Sequence, residues 1–464
     1  MIGRVNDRRP APMPQRDLPR ALWRPVYSVH PPTRRGGAAG APPGAASKGM
    51  VAQMQADVLV LGAGMVGTSI AVHLQKRGRQ VVLLDRRPPG EEASYGNGGL
   101  VQREAVFPHP FPRELRELRR IARNRSVDVR YHLAALPGLV RPLFGYWRNS
   151  APARYAAIAR QWSTLIAGCL DEHRALAEEA GSAALLRPVG YIRAHDDEAL
   201  LEADLAKAER ARAFGVGSVA LDRAALHEAE PHLAGEFVGG VHWTDPYAVN
   251  DPHALTLSYA ALFERLGGHV ALGDAATLTR AGSGWRVVTQ DGASVEAAEA
   301  VIALGIWSGR AAARFGYRVP LFGKRGYHRH FTPRGNAGLT RPVVLGGYVL
   351  APMRAGIRLT TGVEFAPTGA GPTPVQLSRA EPIARRVFPL GDPVEPQPWM
   401  GVRPCTPDMM PIIGPARRQP HLWFAFGHAH QGFTLGPATG RLLAEMITGD
   451  APFVDPAPFR AERF

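Results

Sequence analysis

Cysteine is nearly absent from this chain: of 464 residues, only Cys169 and Cys405 carry a thiol. Two cysteines exclude a disulfide framework and a cysteine-rich metal site, and such sparse use fits a reducing compartment, so a cytoplasmic location is expected. No uninterrupted apolar run reaches the roughly eighteen residues of a membrane span. Any membrane contact is therefore expected to be peripheral, at the inner face. Acidic residues are scarce at one end, where residues 1–50 hold nine Lys/Arg against two Asp/Glu. That stretch is rich in Arg, Pro, Gly and Ala, without hydrophobic periodicity or the apolar core of a secretory signal. It predicts a disordered basic leader over residues 1–55, or a natural start downstream at Met50 or Met54. Its basic residues lack the interleaved aromatics of a nucleic-acid reader. Three histidine-bearing stretches, at His242, His328-Arg329-His330 and His428-Ala429-His430, lack the spacing and acidic partners of a metal site, so no metal is expected. The net charge of +15 suits an anionic substrate or lipid surface, or simply reflects an arginine-rich composition.

What the chain does have is concentrated in residues 57–85, DVLVLGAGMVGTSIAVHLQKRGRQVVLLD. Asp57–Leu61 is an apolar run of the length of one buried parallel strand. It enters Gly62-Ala63-Gly64-Met65-Val66-Gly67, a GxGxxG. Here Gly62 permits the tight turn, Gly64 lets backbone approach a pyrophosphate, and Gly67 lets the next helix pack closely. Thr68–Arg77 reads as that helix, with Gly78 as its C-cap. Val81–Leu84 is a second strand, ending on Asp85, an acid placed to accept from a ribose hydroxyl. Strand, glycine turn, helix, strand and terminal acid together specify a dinucleotide-binding half.

Further along, Ser94-Tyr95-Gly96-Asn97-Gly98-Gly99 is a small, polar loop able to adopt positive φ. Residues 113–125 are basic and helical in pattern. Leu133–Trp147 is apolar and aromatic, broken by Pro137 and Pro142; a cap over the site and a membrane-surface patch are alternatives, with buried packing the expected role. Residues 151–180 and 197–214 read as helices. Asp251-Pro252 opens another, Asp as N-cap and Pro in the first turn, running to about Leu266. Val301–Ser308 is an apolar strand that runs into glycine. Strand candidates follow at Tyr327–Phe331, Val343–Val349 and Ile357–Val363. Gly436-Pro437-Ala438-Thr439-Gly440 opens a last helix to Met446, whose N-terminal dipole favours negative charge.

The terminal stretches MGVRPCTPDMMPIIGP and LWFAFGHAHQGFTLGPATGRLLAEMI, taken with the N-terminal fingerprint and the SYGNGG loop, resemble the D-amino-acid oxidase/dehydrogenase superfamily of FAD enzymes. The subgroup most similar is the bacterial D-amino-acid dehydrogenases, and the resemblance covers about residues 56–450. It implies an α/β fold with an α+β substrate domain: a Rossmann-like FAD-binding domain of the glutathione-reductase type, interleaved with a β-rich substrate domain. The implied FAD domain takes residues 56–110, 250–312 and 398–450, and the substrate or cap domain 111–249 and 313–397.

The resemblance assigns Gly62, Gly64, Gly67 and Asp85 to the ADP half of FAD. It assigns Ser94, Asn97, Gly98 and Gly99 to the loop beside the flavin, and Gly427, Gly432, Leu435 and Gly436 to the segment against the flavin ring. Arg403 matches the arginine that clamps the substrate carboxylate, chemistry suited to a planar guanidinium. Tyr348 matches a position whose hydroxyl faces substrate. Tyr327 and His430 are further substrate-binding candidates, with His328 standing where the subgroup has serine. Cys405 lies downstream of the position used for covalent attachment in some relatives, so non-covalent FAD is expected. The implied reaction is oxidative deamination of a D-amino acid by hydride transfer to flavin, with electrons passed to a quinone, oxygen or another acceptor. Oxidation of a secondary amine or imino acid (sarcosine, glycine, D-proline, hydroxyproline), a non-catalytic FAD-binding protein, and an NAD-dependent dehydrogenase read from the fingerprint alone are the alternatives.

Overall fold

A computed structural model of the chain describes residues 53–464 apart from Thr368. The expected disordered leader and the candidate start at Met50 lie outside the described residues, except that residues 53–55, Met54 among them, already belong to the first strand. In chain order, the elements that position the site are β1 (Gln53–Leu61), α1 (Met65–Lys76), β2 (Val81–Asp85), α2 (Leu136–Asn149), α3 (Pro252–Arg265), β3 (His269–Leu272), β4 (Ser294–Ile302), β5 (Phe322–Pro333), β6 (Tyr348–Met353), β7 (Gly356–Thr360), α4 (Val375–Val387), β8 (Trp399–Cys405), β9 (Ile412–Pro415), β10 (Leu422–Phe426) and α5 (Gly432–Thr448).

The first sheet runs β3-β2-β1-β4, all parallel, with β10 parallel to the end of β4. Its central strand shows why the DVLVL run is apolar throughout. Val58 and Val60 point into a core shared with α1, α3 and α5, while Leu59 and Leu61 point into a second core with Val82, Leu84, Trp285 and Phe424. Both faces are covered, so both alternating sets must be apolar. The fold is thus mixed α/β, as expected.

The second sheet is built on β5, which pairs antiparallel with β7 on one side and β8 on the other, and β7 pairs with β6. Helix α4 covers one of its faces through Leu377, Ala380 and Ala384. Strand β8 was expected in the first, nucleotide-binding part. Its whole length instead pairs with β5 in the second sheet, and the chain returns to the first sheet only at β9, which pairs with β10.

Other local departures have identifiable causes. The expected strand Val343–Val349 is two strands, because Gly346 and Gly347 take φ of +29° and +108° and reverse the chain between them. The expected helix 151–180 is interrupted at Gly168, giving Pro152–Ala167 and Cys169–Glu179. Pro137 and Pro142 do not break the 133–147 segment. Pro137 sits in the first turn of α2, where no hydrogen bond is lost, and Pro142 is accommodated within the helix. Nor is the segment buried: Leu133, Val140 and Phe144 are 75%, 66% and 61% exposed, in line with partly exposed Leu136 and Trp147.

Helix α5 begins at Gly432, four residues before the expected start at Gly436. Pro437 has no N–H to give the Phe433 carbonyl. His173, buried, places its Nε2 2.9 Å from that oxygen and supplies the missing donor. Burial holds this imidazole neutral, its pKa pushed down to about 4.

Helices α1 and α5 cross at backbone contact. A Cβ on Gly436 would lie 3.0 Å from the Met65 carbonyl oxygen, and one on Gly440 2.7 Å from that of Ser69. We expect Gly440→Val to destabilise the protein by about 2–4 kcal/mol, because backbone on both sides leaves the added carbons nowhere to go. Denaturant unfolding of the holoenzyme measures this.

Candidate functional site

The glycine turn after β1 is shaped by close contacts, with backbone against two of its glycines and only a side-chain hydroxyl against the third. Gly62 has φ +110°, and a Cβ there would lie 2.4 Å from the Ala303 carbonyl oxygen. On Gly67 it would lie 1.8 Å from the Gly62 oxygen. Around Gly64 the nearest atom to such a Cβ is the Ser94 hydroxyl, at 3.3 Å. Ser94 Oγ accepts from the Met65 N–H at 2.9 Å, so the loop already caps the first turn of α1 with oxygen. Asp85, at the end of β2, accepts from the Ala63 N–H at 2.7 Å and the Arg86 N–H at 2.6 Å. Burial raises its carboxyl above the usual range, against the pull of those amides.

The 94–99 loop is held by groups from the second sheet. Asn97 Oδ1 accepts from the Gly99 and Leu100 amides at 2.8 and 3.1 Å, so its side chain shapes the loop itself. Gly99 has φ +75° and is packed on the Val249 carbonyl, whereas nothing lies within 4 Å of a Cβ on Gly98. Arg358, on β7 and buried, donates to the carbonyl oxygens of Tyr95 and Asn97 and, through Nε at 2.9 Å, to His330 Nε2. His330 Nδ1 in turn meets Glu395. The ring of Trp399 occupies the space a side chain on Gly96 would need, and stacks on His328 with centroids 4.9 Å apart. None of Arg358, His328 or Trp399 was a sequence-derived candidate. The alternation on their strands is a signal for one shared face, but only the pairing register shows which strands are neighbours.

That register decides the substrate-facing side. Across β5 and β8 the partners are Phe322–Cys405, Lys324–Arg403, Gly326–Gly401 and His328–Trp399. Directly opposite residues share a face, so Arg403 looks the same way as Lys324, Cys405 and Trp399. The intervening residues point the other way. Tyr327 donates to Glu364 Oε2 at 2.5 Å, accepts from the Thr373 N–H at 2.9 Å, and packs under α4. Tyr348 belongs to the same core as Tyr327, Leu350 and Leu359. Both tyrosines therefore stand on the opposite face from Arg403, and the expectation that they touch substrate is corrected. The cause is the period of two along a strand, on which a one-residue shift in matching reverses the face. On β6 it is Val349, paired with Thr360, that points to the Arg403 side.

Arg403 donates from Nη1 to the Gly362 carbonyl at 2.9 Å, and its guanidinium lies over Gly326, where a Cβ would come within 2.6 Å of Nη2. No carboxylate among the described residues pairs with it. Arg403 is half-buried: protein packs densely around it while its side chain keeps accessible surface, so it lines a recess, or chamber, beside the sheet. His430 and His109 face the same chamber, their rings edge to face at 6.5 Å. His109 keeps accessible surface, yet the dense surrounding protein and the nearby cations lower both rings, His109 to about 4 and His430 well below its ordinary value.

The turn before α5 is tied to the end of β8. Gly427 has φ +82°, and Ala429 takes φ +52° while its N–H donates to the Pro404 carbonyl at 2.8 Å. A non-glycine residue in the left-handed region carries strain; here it turns His428 and His430 to different sides. His428 reaches Thr439 Oγ1 at 3.0 Å inside the protein. Gly432 opens the helix with only His428 and Val66 side chains nearby. Leu435 and Gly436, expected against the flavin, are buried in the helix crossing instead: Leu435 sits in the core and Gly436 meets Met65. The fourth and fifth residues of a helix lie one turn behind its N-terminus, and the expected start at Gly436 had placed them at the tip.

The site fits the FAD that the resemblance implies. Gly98 leaves open space at the backbone, Gly64 is met only by the Ser94 hydroxyl, α1 begins directly after the glycine turn, where its N–H groups suit phosphates, and Asp85 stands at the strand end for a ribose. Both cysteines are buried free thiols. Among the described residues no group of three His, Cys, Asp or Glu is arranged to hold a metal ion.

Comparison with known proteins agrees. The profile of the family described as FAD dependent oxidoreductase (DAO) matches residues 57–446. The chain is 28% identical over 425 residues to a D-amino-acid oxidase of Bradyrhizobium diazoefficiens, covering 88% of this chain and 98% of that one. It is 30% identical over 423 residues to a D-amino acid dehydrogenase of Chromohalobacter salexigens, covering 88% and 99%. Among solved structures, glycine oxidase from Geobacillus kaustophilus superposes with a TM-score of 0.68 at 21% identity, over 89% of this chain and 99% of that one.

Arg358 generates a prediction of its own. Arg358→Met removes the loop's tether and leaves the Tyr95 and Asn97 carbonyls without it. FAD is expected to dissociate about tenfold more readily, measured by flavin fluorescence on dilution of the holoprotein.

Proposed function

The chain belongs to the DAO family of FAD dependent oxidoreductases, and from that membership we propose that it oxidatively deaminates D-amino acids to 2-oxo acids and ammonia. The coarser statement stands without proposal: it is an FAD-dependent amino-acid oxidase or dehydrogenase. The D-configuration follows from similarity to a D-amino-acid oxidase and D-amino acid dehydrogenases. A quinone or oxygen as electron acceptor is part of the same reading.

One observation carries the site reading: Arg403 is a half-buried guanidinium that keeps accessible surface and is matched by no carboxylate of the described residues. Burying such a charge is costly unless a partner arrives. A substrate carboxylate is that partner, held through parallel N–H donors while the Gly362 carbonyl fixes the other side of the fork. The bound flavin supplies the two-electron acceptor for the Cα–H hydride. The protein's part is to hold the carboxylate so that Cα–H faces one direction. His109 and His430, held neutral, leave the positive charge at Arg403. Gly62, Gly64, Gly67, Asp85, Ser94 and Gly98 are proposed to line the nucleotide and flavin path.

Anaerobic titration of the holoprotein with D-alanine, D-proline, sarcosine and the L-isomers tests this. D-alanine is expected to bleach the oxidised-flavin band; bleaching by sarcosine alone moves the assignment to secondary amines, and no bleaching by any of them removes the amine reading. Arg403→Met is expected to lower kcat/KM about a hundredfold or more with flavin retained.

Peripheral membrane contact has its own support. Among the described residues no helix is long and apolar enough to cross a membrane. However, Leu133, Leu136, Val140, Phe144 and Trp147 form one exposed apolar stripe along α2 and the turn before it, with Arg141 and Arg148 exposed beside it. Such a stripe with basic neighbours suits an anionic bilayer surface. Co-sedimentation with phosphatidylglycerol vesicles is expected, and is expected to be lost in V140D/F144D. Equal sedimentation of the variant would refute it.

A further inference from the structure

A second cation stands beside Arg403 on the same face of the sheet. Lys324 is directly opposite Arg403 in the β5–β8 register, and so projects from the same face, with Cβ atoms about 5 Å apart. It is 8% exposed. Its Nζ lies 3.3 Å from the Tyr146 hydroxyl, 3.9 Å from Met409 Sδ and 4.3 Å from the centre of the Tyr146 ring. The Tyr146 hydroxyl spends its own proton on the His109 carbonyl at 2.6 Å, so it is free to accept from the amine. No carboxylate of the described residues pairs with Lys324.

A buried amine in this setting lowers stability relative to an apolar side chain of similar length, which would fill the same box of Tyr146, Phe322, Met409 and Cys405. The surrounding charge does not compensate it. Arg193 lies 3.1 Å from Asp204, and Glu104 accepts from Gln102 and Tyr191 at 2.8 and 3.0 Å through one of its two oxygens. Lys324 and Arg403 are left without acidic partners, and both depress the protonation of His430.

We propose that Lys324 and Arg403 form a paired clamp for two carboxylates, so that the chamber favours an amino dicarboxylic acid over a monocarboxylic one. Arg403 takes the α-carboxylate and Lys324 the side-chain carboxylate. The two charged ends diverge from the shared pair position, the amine towards Tyr146 and Met409 and the guanidinium over Gly326, which suits two separate carboxylates better than one. This rests on the carboxylate-clamp reading of Arg403 and names the substrate class of that site.

The test uses full-length holoenzyme and two inert probes of equal carbon number, glutarate and valerate, read as perturbation of the oxidised-flavin absorbance. Wild type is expected to bind glutarate at least tenfold more tightly than valerate. Lys324→Met is expected to bring that ratio close to one, while Lys324→Arg keeps most of it. Lys324→Met should unfold no earlier than wild type, because it replaces a buried amine by an apolar chain; the flavin spectrum and thermal midpoint verify that the site is intact. A wild-type ratio near one, or an unchanged ratio in Lys324→Met, overturns the dicarboxylate inference alone if Arg403→Met still abolishes valerate binding. Unaltered valerate binding in Arg403→Met overturns the clamp reading and this inference with it. Steady-state comparison of D-glutamate with D-norvaline should follow the probe ratio.

Discussion

Everything at the site depends on how closely two helices cross. Met65 meets Gly436, and Ser69 meets Gly440. The contacts advance by four residues on both helices in the same direction, so α1 and α5 run parallel with their N-termini side by side. Both positive dipole ends are aimed at one region. One belongs to the glycine turn for a dinucleotide, the other to the turn carrying His430. Only glycine allows this approach, and the geometry joins residues more than 360 positions apart in one site.

The second constraint is the β5–β8 pairing. It sets Arg403, Lys324, Cys405 and Trp399 on one face and Tyr327 on the other. The two faces do different work. One is a packed core under α4. The other carries the cations and, through Trp399 and Arg358, holds the 94–99 loop against the sheet. Chemistry and stability are divided by the pleat of a single sheet, and the two glycines at 326 and 401 keep that face clear for the guanidinium and the indole.

Within this frame, the neutral imidazoles are as informative as the charges. His173 stands in for an amide that Pro437 lacks, His428 is tied to Thr439, and His109 and His430 remain at the chamber without charge. Desolvation by the surrounding protein is the leading cause in each case. The chamber therefore keeps its positive charge on long basic side chains that reach for a ligand.

By itself the sequence determined what depends on neighbours in the chain. β1, the glycine turn, α1 and β2 with Asp85 were legible, because apolar runs, glycine conformation and strand-end acids are local properties. The cap at Asp251 was legible for the same reason, its carboxylate accepting from the Ala254 N–H at 2.9 Å. Arg403 was reached through resemblance, and its half-buried, unmatched charge bears on a role no spacing rule implies. Tertiary structure alone decided faces and partners. Tyr348 and Tyr327 turned away from the chamber because strand parity, set by the Gly346-Gly347 reversal and by pairing, is invisible until the partner strand is known. Leu435 and Gly436 moved into a helix crossing because a distant histidine let α5 begin before its proline. Lys324 carried no local signal; its meaning lies in the arginine opposite it, 79 residues later in the chain.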